Sequence, residues 1–358
     1  MRSMKAALLF LCTFASALVF MPEKGYATST EAEELAACSS RDVRENMSPE
    51  LKKYFMTPSD QGNIGWCYGY AANDILSQKM GAPLSAIYTS SYYTSRITGA
   101  GRFFRSILHG DTAVAEGGFI AGALKDIKKN GYACSTRALP QNGTFNFELV
   151  PNYVSMAGTG DLVRYMEKLR NNEPCDEMCE RRTDYLFDYF FGKLNVIDVK
   201  RYIINSKSSR LEDVLFKLMD SGCGSSKIAV SGSLKIRTGG DTSKSGPKSN
   251  DRYGSEPQFD PEQTLLAKLN RQLNQNKVVG FEYNAKYVTG VGGIFGGWHA
   301  SSVVGRKVIN NKCHYLVRNS WGTTCSYKPG IICDKETGSY WVDSKTFKRM
   351  TSKLVWVD

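Results

Sequence analysis

The chain is poor in histidine, with three in 358 residues, at His109, His299 and His314. The Cys175-x3-Cys179 pair has neither a histidine nor a second cysteine pair beside it to complete a zinc site. No metal and no cofactor is expected. Beyond the N-terminus there is no long apolar run, so no later segment reads as a membrane span. No internal repeat is present. The net charge of +11 is scattered rather than gathered in one basic tract, and no nucleic-acid recognition motif accompanies it. A specific nucleic-acid partner is therefore not expected, whereas an anionic envelope surface or an acidic substrate suits the charge.

What is present begins with an export signature. Arg2 and Lys5 precede the apolar run 6–20, and the small residues of Gly25-Tyr26-Ala27 form a cleavage site before Thr28. Such a run is too short to span a bilayer comfortably, while its basic start and small-residue end fit a signal peptide over 1–27. A secreted or periplasmic mature protein is expected. The ten cysteines agree with this. Cys12 leaves with the signal, and setting Cys67 aside leaves Cys38, Cys134, Cys175, Cys179, Cys223, Cys313, Cys325 and Cys333. An even number suits disulfides in an oxidising compartment. Eight cysteines allow about a hundred pairings, so connectivity stays open, with Cys175/Cys179 and Cys325/Cys333 the local candidates.

A hydrophobic content of 42% is enough for a real core in one large domain or two ordinary ones. Helical patterning runs over 48–55, 68–80, 119–130, 209–219 and 261–274; Ser209 and Glu212 are spaced as a capping box. Short β-branched and aromatic runs then follow at 278–283, 300–305, 315–319, 339–343 and 353–357 and read as antiparallel strands. Between them, 238–258 is dense in Gly, Ser, Lys and Asp and reads as a flexible exposed loop. Helices first and strands second make an α+β protein of two subdomains.

The chemistry concentrates in a few short segments. Gln61-Gly-Asn-Ile-Gly65-Trp-Cys67-Tyr68 is a glycine-rich turn entering a helix, which places Cys67 where unpaired N–H groups and the helix dipole favour a thiolate. His299 follows a glycine turn and Trp298 at the start of a strand, and Asn319-Ser-Trp321-Gly322 leaves the next. A cysteine nucleophile, an imidazole base and an amide to orient that base make a complete triad. Taken singly, Cys67 reads more readily as a buried or disulfide cysteine, His299 as structural, and Gly117-Gly118 as a helix-entry turn. Together and in this order they favour an enzyme.

The order Gln, Cys, His, Asn-Ser-Trp-Gly resembles the papain-like cysteine proteases over roughly 50–140 and 260–358. Of that family's five-residue nucleophile signature the chain keeps Gly65, Cys67 and the aromatic Tyr68, and departs at Ile64 and Trp66. The resemblance implies a helical left half and an antiparallel, barrel-like right half with the cleft between them. It implies Cys67 as nucleophile, standing as thiolate beside imidazolium; His299 as base and then acid; Asn319 as the group orienting it; and Gln61 as an oxyanion donor. It further implies substrate contacts at Gly65, Gly117, Gly118, Trp298 and Trp321, with Trp321 shielding the His299–Asn319 contact. In the family a cysteine usually stands at the place of Ile64 and pairs with one near Ala115; both are missing here, a joint loss of one bridge.

The Cys67–His299 separation is 232 residues, against roughly 130–150 for relatives. About a hundred residues are therefore inserted, mostly within 155–260, as a helical and flexible region. Only 32 residues separate Thr28 from Gln61, too few for the long helical propeptide of many relatives. The expectation is an exported, monomeric cysteine endopeptidase acting on a protein or peptide substrate. An amidase or transpeptidase on envelope peptides, or a non-catalytic binding module on the same scaffold, are the alternatives.

Overall fold

The computed structural model describes residues 35–62, 64–97, 117–139, 159–191, 194–207, 209–240, 265–290 and 297–358. The expected signal peptide, His109, Ala115 and most of the 238–258 loop lie outside them.

Helix α1 (Pro49–Met56) starts where Ser48 accepts a hydrogen bond from the Leu51 N–H and Pro49 supplies a preset first-turn φ. Helix α2 (Cys67–Met80) ends at Gly81, whose φ of 68° is the left-handed conformation a side chain resists. Residues 68–77 of α2 are all buried, so this helix is apolar or satisfied on every face. It lies at the centre, flanked by α3 (Ala86–Arg96), α4 (Ile120–Asn130) and the sheet. Fully burying a side chain such as Ile75 or Leu76 stabilises by roughly 1.5–3 kcal/mol, which holds the start of α2 in one place.

The sheet is antiparallel throughout. Its order is β4 (Ile236–Gly240), β10 (Thr351–Val357), β5 (Val279–Asn284), β6 (Trp298–Ile309), β7 (Lys312–Arg318), β9 (Ser339–Asp343) and β8 (Ile332–Asp334). The short β1 (Arg41–Asp42) adds to β6. Among the described residues this path is open rather than closed into a barrel. A two-stranded sheet pairs β2 (Tyr132–Cys134) with β3 (Lys227–Ala229). The architecture is α+β: α2 and α4 pack on the sheet face that carries Gly280, and Phe347, from the helix Ser344–Met350, packs against the alternate residue Phe281 on the other face.

Four helices fill the region between the two halves: α5 (Thr159–Asn171), α6 (Glu177–Phe191), α7 (Val196–Asn205) and α8 (Leu211–Cys223). They pack on one another and dock through α8 on α3. Two boundaries differ from expectation. Residues 238–240 are not loop but the end of β4, because their backbone pairs with Leu354 and its neighbours on β10. The N-cap of α8 is Arg210, not Ser209, and no side chain caps it. Arg210 instead extends to Asp213 and to the carbonyls of Ser95 and Ile97, tying the helix to the end of α3.

The disulfides are Cys38–Cys313, Cys134–Cys223, Cys175–Cys179 and Cys325–Cys333, leaving Cys67 as the free thiol among the described residues. Cys38–Cys313 fastens the lead-in segment to β7, and Cys134–Cys223 fastens α8 to β2. Helices α9 (Leu265–Asn274), α10 (Lys286–Thr289) and α11 (Ser344–Met350) complete the chain. No helix among the described residues is long and apolar enough to cross a membrane.

Candidate active site

Cys67 is the first residue of α2, where the chain's N–H groups have no partner within the helix. Backbone groups of Ala300, Tyr68 and Cys67 itself favour the thiolate form of its sulfur. Ala300 is the residue after His299, so the thiol lies against the first turnings of β6. Burial nevertheless dominates: it pushes the thiol up to about 11 against the pull of those groups, and the nearby Glu282 charge pushes the same way.

His299 is the second residue of β6, 7% exposed, and cross-strand from Tyr283 on β5. Its Nε2 is 2.8 Å from the Asn319 Oδ1. The roles of both atoms follow from their neighbours. The Ser320 N–H, which can only donate, points at Asn319 Oδ1 at 2.9 Å, and the Ser301 hydroxyl donates to it at 3.1 Å. Asn319 Oδ1 is therefore an acceptor and His299 Nε2 carries the proton. Nδ1 is left with the lone pair, free to act as a base. Asn319 is itself held through its Nδ2, which donates to the Tyr327 hydroxyl at 3.3 Å. Behind Ser301 stand the Tyr283 hydroxyl at 3.2 Å and then that of Tyr340, which donates to Tyr283 at 2.9 Å.

Trp321 lies over the imidazole with ring centres 4.3 Å apart and planes 32° apart. Burial under this ring and within β6 lowers the His299 pKa to about 4, although the Asn319 contact favours the charged form. Burial thus pushes the thiol up and the imidazole down, against the pull of the helix terminus and of Asn319 toward the charged forms.

Gln61 is 7% exposed. Its Nε2 donates to the Ile64 carbonyl at 2.7 Å, and its Oε1 accepts from the Ser320 hydroxyl at 2.6 Å. The Gln61 N–H bonds the Ser320 carbonyl, and the Gly322 N–H bonds the Ser59 carbonyl. These short pairings lay the Gln61 segment alongside Asn319–Gly322. Gly117 donates its N–H to the Gly65 carbonyl at 2.9 Å, which sets the 117–119 segment beside the nucleophile turn. A side chain at Gly118 would place its Cβ 2.7 Å from the Tyr68 ring, so that approach requires glycine. Trp298, 40% exposed, stands next to His299. The residues singled out in the sequence thus gather at one place. Ser301, Ser320, Tyr327, Tyr283, Tyr340 and Glu282 join them without having been singled out. Only Ser320 had a signal, as part of Asn-Ser-Trp-Gly.

The fold is similar to that of papain-like cysteine proteases. Solved structures similar to it include digestive procathepsin L 3 of the Tenebrio molitor larval midgut, 13% identical, covering 93% of this chain and 71% of that one with a TM-score of 0.41. Xylellain, a cysteine protease from Xylella fastidiosa, is 14% identical, with coverage of 93% and 91% and a TM-score of 0.41. SERA5E from Plasmodium falciparum is 14% identical, with coverage of 90% and 97% and a TM-score of 0.43. No protein-family model and no curated protein matches the sequence.

The state of His299 has a thermodynamic consequence. Its folded pKa of about 4 lies below the ordinary imidazole value of 6.5, so between those values the unfolded chain binds the extra proton. Stability therefore rises with pH across this window and is lost as pH falls from about 6.5 toward 4, by up to about 3 kcal/mol. A His299→Gln variant should show a flatter melting temperature over that range than the parent. Parallel curves would mean that the imidazole titrates freely in the fold.

Proposed function

We propose that the protein is an exported papain-like cysteine endopeptidase, with Cys67 as nucleophile, His299 as general base and acid, and Asn319 orienting the imidazole. The observation that carries the reading is the tautomer fixed by Asn319. It leaves the His299 Nδ1 lone pair available, while the backbone of Ala300, the next residue, favours the Cys67 thiolate. The four disulfides suit an oxidising compartment and so support export.

In this reading Cys67 Sγ attacks a peptide carbonyl carbon as its proton passes to His299 Nδ1. The oxyanion so formed is held by the Cys67 N–H and by the Gln61 amide hydrogen not engaged with Ile64; losing one such donor costs about 3 kcal/mol of barrier. The C–N bond then breaks, and the leaving amine takes the proton from Nδ1. Water, deprotonated by the same nitrogen, attacks the thioester and releases the acid and the thiol. The imidazolium that forms in each half-reaction is stabilised by the Nε2–H bond to Asn319, which is itself braced by Ser301, Ser320 and Tyr327. Trp321 keeps water from competing for that bond. The substrate lies extended against Gly65, Gly117 and Gly118, with Trp298 at the leaving-group side of His299.

A peptidyl epoxide tests the pairing, because ring opening needs both the sulfur and a proton donor beside it. The mature protein should be labelled at Cys67, and His299→Ala should slow labelling at least about tenfold. Equal rates in parent and variant would refute the dyad. A peptide-library digest then separates an endopeptidase from an enzyme restricted to envelope peptides.

A further inference from the structure

We propose that Ser301, Tyr283 and Tyr340 are positioning residues: their hydroxyls form a one-way chain of donors that fixes the Asn319 amide and, through it, the His299 tautomer. The inference rests on the peptidase reading above. Strand register brings these side chains together. Tyr283 on β5 is cross-strand from His299 on β6, and Ser301 is two residues beyond His299. Val317 on β7 is cross-strand from Val303 and from Tyr340 on β9, and Asn319 is two residues beyond Val317. Alternation therefore puts Tyr283, His299, Ser301, Asn319 and Tyr340 on one face of the sheet. All five are buried, so each polar atom among them depends on its neighbours rather than on water.

The direction of the chain is set at its end. Asn319 Oδ1 can only accept, so Ser301 spends its single proton there, at 3.1 Å. Ser301 Oγ then accepts from Tyr283 at 3.2 Å, and Tyr283, its own proton spent, accepts from Tyr340 at 2.9 Å. Burial raises the pKa of both phenols, so each keeps the proton it donates. The order matters because an Asn amide can turn over. Reversed, Asn319 would set its NH2 against the Ser320 N–H and lose its bond to the Tyr327 hydroxyl. A lone serine could still follow that reversal by turning its proton aside and accepting from the NH2. Here the other partner of Ser301 is Tyr283, which already donates to it, so the displaced proton would be buried without an acceptor. Tyr340 closes the same exit for Tyr283. With Oδ1 held toward the imidazole, the proton stays on Nε2 and the lone pair on Nδ1, where the proposed reaction needs it.

Tyr283→Phe keeps the ring that stacks on Phe281 and meets His299 edge-on, and removes only the hydroxyl. On one peptide substrate, kcat should fall about tenfold in Ser301→Ala and about threefold in Tyr283→Phe, the scale of one neutral hydrogen bond, with KM unchanged. Adding Tyr283→Phe to Ser301→Ala should cost nothing more, because Tyr283 acts through Ser301. A second readout needs no substrate. The chain has three histidines, so nitrogen-labelled histidine gives a readable spectrum. It is recorded on Cys67→Ala protein, where no thiol exchanges a proton with the imidazole. Neutral His299 should appear there as the Nε2–H form, and adding Ser301→Ala or Tyr283→Phe should admit the Nδ1–H form. A merely structural role would lower the melting temperature and leave kcat and the tautomer as they were, and that result would overturn the proposal. So would losses in kcat that multiply in the double variant. If the parent cleaves no peptide, the peptidase reading falls, while the spectra still decide whether the chain fixes His299.

Discussion

Replacing Cys67 by alanine should lower kcat by at least about 10⁴-fold, His299→Ala should lower it by a similar factor, and the double variant should be no worse than either single one. The reasoning is mechanistic rather than additive. Once the sulfur is gone the imidazole has no thiol to deprotonate. Once the imidazole is gone the thiol, raised to about 11 by burial, stays protonated at neutral pH. Each removal therefore disables the same step. Asn319→Ala should fall between the singles and the parent, because His299 keeps Trp321 over its ring but loses the acceptor that fixes Nε2–H. Kinetics on one peptide at pH 7, with circular dichroism to show each variant folded, checks the whole set. Losses that multiply in the double variant would mean that Cys67 and His299 act independently, contrary to a shared proton. A Cys67→Ala protein retaining the parent's kcat would place the nucleophile elsewhere.

Much of this arrangement was legible from residue types and order. The α+β division followed from apolar periodicity changing from helical to alternating near residue 278. The free cysteine followed from parity, since eight of the remaining cysteines pair. Cys67, His299 and Asn319 lie on α2, β6 and the end of β7, as the turn and strand signals around them imply.

What escaped depends on contacts between distant segments. The bridges Cys38–Cys313 and Cys134–Cys223 close 275 and 89 residues of chain and leave no local spacing to read. Residues 238–240 look like loop by composition, yet they form a strand because β10 offers an unpaired backbone edge. A helix terminus that favours a thiolate is visible in sequence, whereas the burial that opposes it arises only when the distant segments pack together. Glu282 was passed over because a single acidic residue in a strand carries no motif; only the strand register sets it across from Ala300.

Arg318→Met should destabilise the fold by about 3–5 kcal/mol, the cost of leaving a buried charge without its partner. Arg318 and Asp74 are each 3% exposed, with Nη1 and Oδ1 3.6 Å apart. Burial raises the Asp74 pKa, while Arg318, the Ser302 hydroxyl and the Tyr54 hydroxyl hold it down. The guanidinium also donates to the Ser59 hydroxyl and to the carbonyls of Tyr54 and Thr57, at 3.0 and 3.2 Å for the latter two. These contacts join the elements that carry Cys67, His299 and Asn319. Asp74 is on the Cys67 helix, Ser302 is three residues beyond His299, and Arg318 precedes Asn319, whose carbonyl accepts from Ser59 at 3.2 Å. The double variant Arg318→Met/Asp74→Leu should recover much of the lost stability, since removing both charges removes the desolvation penalty with the attraction. It should not recover kcat, because the apolar pair packs the interior but no longer fixes Ser59, Ser302 and the Asn319 turn in register. Chemical denaturation of the four proteins in the cycle, with kcat measured on each, tests both halves. A double variant restored in stability and in kcat alike would show that the buried pair serves the core alone and does not position the site.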